Sequence, residues 1–138
     1  MIVQGQTTSF KKELYEAIHD FTTDTFKIAL YTANATLNQD TIAYTATGEI
    51  SGTGYTAGGK SLVNPIVSSA SGVAYISFDN ISWTSASFTV RGALIYNSSK
   101  ANRSVAVLDF GSDKVTNSTF TITFPANTST SAIIRSSN

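Results

Sequence analysis

Around Thr22–Thr25 the apolar periodicity of this chain changes from helical to alternating and never changes back. Before that point Phe10, Leu14, Ala17, Ile18 and Phe21 recur at helical spacing, opposite Lys11, Lys12, Glu13, Glu16 and Asp20. Ser9 precedes the run as an N-cap residue, so one helix over about 9–21 is expected. After it, Phe26, Ile28 and Leu30 alternate with Lys27, Ala29 and Tyr31, the pattern of a half-buried strand. A chain with one short helical stripe and a long alternating remainder has few folds open to it. The expected class is mainly β, an antiparallel β-sandwich with one N-terminal helix, in a single domain over 1–138.

The second half, about 73–135, reads as a succession of strands: Val73–Phe78, Ile81–Trp83, Ser87–Tyr96, Ser104–Phe110, Thr119–Phe124 and Ala132–Arg135. Within Ser87–Tyr96, Phe88, Val90, Leu94 and Tyr96 are expected on one face, with Gly92 marking a bulge or a close backbone approach. Asn97–Asn102 reads as a hairpin loop, Gly111–Lys114 as a further turn, and Pro125 as a stop. Between about 33 and 65 lies a polar, glycine-dotted stretch with apolar touches at Ile42, Tyr44, Ile50 and Tyr55. A loop-rich segment of that length is usually functional or ordered by a partner. Tyr44, Ile50, Tyr55 and Lys60, with Arg103 on the hairpin, are therefore the candidate partner-binding residues.

Composition narrows the chemistry. Serine and threonine fill more than a quarter of the chain, which suits pleated surfaces and turns. Charged residues are only 13%, and nine basic residues balance nine acidic ones. No global field would draw in nucleic acid or an anionic membrane, so neither is expected as a partner. With no cysteine and one histidine, disulfides, thiolate metal sites and multi-histidine metal sites are not expected. No apolar run is long enough to span a bilayer, and no signal-peptide pattern is expected at the N-terminus.

Three motifs look like chemistry. Gly54-Tyr55-Thr56-Ala57-Gly58-Gly59-Lys60-Ser61 fits the Walker A pattern. Yet the preceding residues are too polar for a buried strand, and Pro65 leaves no room for the helix that should follow. Val105–Asp109 imitates a Walker B strand, and Asp109-Phe110-Gly111 imitates a kinase motif without its companions. No cofactor is expected from any of them. His19, at the edge of the helical stripe, reads as a capping or partly buried histidine with no carboxylate or nucleophile motif beside it. Trp83 with Tyr75, Tyr96, Tyr31, Tyr44 and Tyr55 could furnish an aromatic platform for sugars, although strand aromatics are usually core. Arg91 and Arg103 read as ion-pair or interface residues. No catalytic residue or enzyme class emerges.

Several segments resemble, together and nearly end to end, a family of small tailed-bacteriophage proteins. They are Ser9–Tyr15, His19–Thr32, Gly52–Gly59, Arg91–Asn97, Ala106–Gly111, Phe124-Pro125 and Ala132–Arg135. The resemblance implies a virion structural component, made in the host bacterial cytoplasm and located in the virion. No catalytic residues come with it, and Lys60-Ser61 stands outside the shared glycine-rich pattern. Small size, neutral charge and the sandwich reading point to a head decoration or cement protein that binds neighbouring capsid subunits. A tail or tail-fibre accessory and a glycan- or receptor-binding module are the alternatives. A homo-oligomer, such as a trimer, is the expected state.

Overall fold

The computed structural model describes residues 1–137. Its elements run β1 (Gly5–Gln6), α1 (Thr8–Tyr15), β2 (Phe26–Tyr31), β3 (Lys60–Ser61), β4 (Ile66–Ala70), β5 (Val73–Ser77) and β6 (Ile81–Trp83). The chain continues through β7 (Phe88–Asn97), β8 (Arg103–Thr116), β9 (Phe120–Ile122) and β10 (Ile134–Ser136). A five-stranded sheet has the order β1-β8-β7-β2-β3, a three-stranded sheet the order β10-β5-β4, and β6 pairs with β9. Every strand pairing in these sheets is antiparallel. The mainly β fold with one N-terminal helix is thus the observed one.

The main core lies between the five-stranded sheet and the two smaller ones. Phe26, Ile28 and Leu30 of β2, with Ala93, Ile95 and Val105 of β7 and β8, meet Ile76, Ile81, Trp83, Ile122 and Ile134 from the other layer. Phe21 stacks on Phe26 with centroids 4.1 Å apart, and Phe78 packs against both. The opposite face of the same sheet is covered as well. Ala29, Tyr31, Leu94, Tyr96 and Val107 pack there under Ile2, Ala35, Leu37 and Tyr44. The strand β2, expected to be half-buried, is therefore buried on both faces.

Three local readings are corrected. The helix ends at Tyr15, well short of residue 21, and its N-cap is Thr7, whose hydroxyl accepts from the Phe10 amide at 3.3 Å. The Ile18 amide donates to Glu13 O and the Ala17 amide to Leu14 O, with Ala17 at φ +58°. That is a Schellman stop, and it overrides an apolar pattern that continues beyond it. Phe21 still reaches the core, from a turn, while Leu14 remains 39% exposed.

The single apolar face expected on β7 is in fact two. Phe88, Val90, Ala93 and Ile95 face the main core, whereas Leu94 and Tyr96 face the other. The register is irregular between Val90 and Gly92, and a one-residue irregularity exchanges the faces of everything beyond it. Gly92 is needed at this point, because a Cβ there would lie 2.5 Å from Leu108 O. Lastly, Gly111–Lys114 does not turn the chain. β8 continues through it, and Phe110–Asp113 stand opposite Arg91 alone as a wide bulge. Arg91 lies 3.7 Å from Asp109 and 3.4 Å from Asp113, the ion-pair role expected of it.

Candidate functional site

The five residues singled out for partner binding are mostly engaged within the chain. Ile50 is buried in the main core. Tyr44 stacks on Tyr96, with centroids 5.0 Å apart, and donates to Glu49 Oε1 at 2.6 Å. Tyr55 donates to Glu49 Oε2 at 2.5 Å and accepts from the Leu30 amide at 3.0 Å. Arg103 donates to Glu13 Oε2 at 2.9 Å. Only Lys60 is exposed, and even its ammonium donates to Ser82 O at 2.5 Å and sits 5.7 Å from the Trp83 ring centre.

Glu49 organises the loop-rich segment. Besides the two tyrosines, its Oε2 accepts from the Gly58 amide at 2.8 Å, and Gly58 O accepts from Tyr96 at 2.6 Å. Burial, reinforced by this carboxylate, pushes the Tyr44 hydroxyl up to about 12 and raises Tyr55, Tyr31 and Tyr96 as well. The Walker-like loop is the same structure seen from its other side. An anionic side chain holds the Gly58 amide where a phosphate would have to sit, and Lys60 opens a strand instead of a helix. Gly59 is pinned beneath β2, since a Cβ there would lie 1.8 Å from Ile28 O.

A second polar group was not foreseen. His19 is buried, with Nε2 2.8 Å from Glu13 Oε1 and Nδ1 3.0 Å from the Asn97 amide nitrogen. The expectation that no carboxylate pairs with His19 is thus corrected. The Schellman stop folds the chain back, bringing His19 over Glu13. Asn97 also donates to Asp24 Oδ2 at 2.8 Å, and Lys100 reaches Asp24 at 2.9 Å. Burial alone would raise the Asp24 carboxyl, but the Asn97 and Lys100 hydrogen bonds outweigh it and bring the group down to about 2. With Asn97 donating to Nδ1, the ring proton resides on Nε2 and is given to Glu13. Both ring nitrogens are occupied and neither meets a nucleophile, so the arrangement ties helix, turn and hairpin together. Among the described residues no cluster of potential ligands could hold a metal ion.

The aromatic residues do not form an open sugar platform. Trp83 is 2% exposed, Tyr31 and Tyr96 are buried, and Tyr44 and Tyr55 have their hydroxyls turned inward on Glu49.

Among the described residues, one exposed apolar feature is the edge of the three-stranded sheet. β4 is the outer strand there, Ile66 and Val67 are 43% and 53% exposed, and Val63 just before it is 58% exposed. No charged residue occurs between Lys60 and Asp79. Other edges are short or charged: β1 and β3 have two residues each and β10 has three, while β8, which β1 covers only at Ala106 and Val107, carries Asp109, Asp113 and Lys114 along its open length. Some are also occupied, as Arg135 O of β10 accepts from Gln6 at 2.8 Å and Ser82 O of β6 from Lys60. Beside β4 an apolar groove of about 300 Å³ runs between Leu14, Phe21, Val67, Ile76 and Ile134. Strand β4 escaped the sequence reading, although its signal was present. Ile66–Ala70 and Val73–Ser77 are two uncharged runs separated by Ser71-Gly72, a two-residue hairpin signature.

Comparison with known proteins gives no match to a family model, a curated protein or a solved structure. No family is assigned.

Proposed function

We propose that this chain is a non-enzymatic structural component of a tailed-bacteriophage virion that acts by packing against neighbouring subunits, as a head decoration or cement protein. The observation that carries this reading is the β4 edge. A strand with free backbone groups, exposed apolar side chains and no charge is what natural proteins avoid leaving open, and it is what strand addition uses. The near end-to-end resemblance of the sequence to small phage proteins supplies the context. Low charge supports it too, because a chain with 13% charged residues and no net charge has little repulsion to keep copies apart.

The partner surface proposed here differs from the one first expected. Tyr44, Tyr55 and Gly58 are tied together through Glu49, so assembly is assigned to β4 and its groove, with Lys60 the one exposed member of the earlier set. Quantitative mass spectrometry of purified particles tests the reading. Copies comparable in number to the major capsid protein are expected for a lattice-wide cement. A few copies per particle would shift the role to a tail accessory, and absence from the particle would end it.

A further inference from the structure

We infer that β4 is a self-pairing strand: two copies of this chain join antiparallel along it, about a two-fold axis at Ser68. Ser71 and Gly72 have φ +53° and +78°, the double positive φ of a two-residue turn, and Ala70 lies opposite Val73. In such a hairpin the residues flanking the turn exchange backbone hydrogen bonds, and bonded and non-bonded pairs then alternate along the ladder. Ala70, Ser68 and Ile66 therefore point their backbone groups at β5. Val67 and Ser69 point theirs outward at the open edge.

That phase restricts the pairings the edge can accept, and side-chain volume selects among them. Antiparallel addition of a second β4 centred on Ser68 sets Val67 against the other copy's Ser69, so the outward groups meet as hydrogen-bonded pairs. Ser68 meets its own counterpart in the non-bonded, closely spaced position. Ile66 meets Ala70. Each large side chain thus faces a small one, and no charge faces a charge, since none lies between Lys60 and Asp79. The strand is complementary to itself in backbone phase and in volume, with no like charges opposed, which is what a two-fold interface requires.

Pairing would join two three-stranded sheets into one. It would also bring the two apolar grooves together, because Val67 stands on the same face as Ile76, beside Leu14 and Phe21. A ladder of this length forms a small interface, so the free dimer is expected to be weak and to gain strength where copies are held close. The inference rests on reading the chain as an assembly protein, but it names two-fold pairing where a trimer was expected.

The chain has no cysteine, so a single introduced thiol reports the contact cleanly. In Ser68→Cys the two sulfurs fall on a closely opposed pair within disulfide reach, whereas in Ser69→Cys they are displaced along the strands to roughly 9 Å between Cα atoms, beyond it. Under mild oxidation Ser68→Cys should become mostly a covalent dimer while Ser69→Cys stays mostly monomeric. Sedimentation of the wild type at rising concentration should move from 14.6 kDa towards twice that mass. Equal crosslinking of both variants, crosslinking of neither, or a wild-type trimer overturns the pairing. Unchanged Trp83 fluorescence in each variant verifies the fold. A crosslinked dimer from a protein missing in particles would remove the virion reading and keep this one, and the reverse pair of results would do the opposite.

Discussion

Asp24 shows how far a side chain on a turn can be drawn into the structure. It receives hydrogen bonds from Asn97 and Lys100, two residues of the distant β7–β8 hairpin, and they hold its carboxyl down at about 2 against an ordinary 3.8. A carboxyl depressed on folding stabilises the native state at pH values above its ordinary value. That contribution fades as the pH falls through the folded value. Wild-type stability should therefore decline between about pH 4 and pH 2 more steeply than that of Asp24→Asn, which starts lower and changes less. Thermal melts across that interval test this, and parallel curves would show that Asp24 is not the responsible group. Trp83 is a contrasting case: its Nε1 is buried without a partner, so the ring contributes through packing and the Lys60 ammonium over its face rather than through a hydrogen bond.

At the scale of elements, the helix is the instructive piece. Its stop places Ala17, an exposed residue, in the left-handed region at φ +58°. Any residue with a Cβ pays about 1 kcal/mol for that conformation, and glycine does not. Ala17→Gly is therefore expected to stabilise the protein by roughly 0.5–1 kcal/mol, read as a higher midpoint in urea. A loss of stability would mean that the helix runs on through Ala17, as its apolar spacing suggests. The bulges of β7 and β8 are the strand equivalent. One irregular step beside Gly92 lets a single strand supply Val90 to one core and Leu94 to the other.

For the whole molecule, the decisive fact is that the five-stranded sheet is covered twice. On one side the cover is the smaller sheets, and on the other it is chain with little regular structure, fixed by tyrosine hydroxyls and Glu49. Removing that carboxylate leaves the Tyr44 and Tyr55 hydroxyls and the Gly58 amide without their acceptor, at a cost of about 2–3 kcal/mol. In Glu49→Ala, hydrogen exchange should speed up first across residues 44–58, with β2, β7 and β8 still the slowest part of the protein. Uniform acceleration everywhere would mean that this cover is not a separable unit. Such a loop-rich layer reads as a docking surface in the sequence, whereas its traced hydrogen bonds hold it against its own sheet.

The apolar alternation and the single helical stripe were enough to derive a mainly β chain with one N-terminal helix, because periodicity is a local property and survives in the linear order of residues. The hairpin around Ser98–Asn102, the special role of Gly92 and the failure of the Walker-like loop were legible for the same reason. The two-faced burial of β2, the exchange of faces along β7, the Glu13–His19–Asn97–Asp24 chain and the inward role of Tyr44, Tyr55 and Arg103 were not. Each depends on residues far apart in sequence meeting in space, as Asn97 meets His19 and Asp24, and Glu49 meets Tyr55 and Gly58. Local spacing decides which element a segment forms; only tertiary packing decides which of its faces is left to meet another molecule.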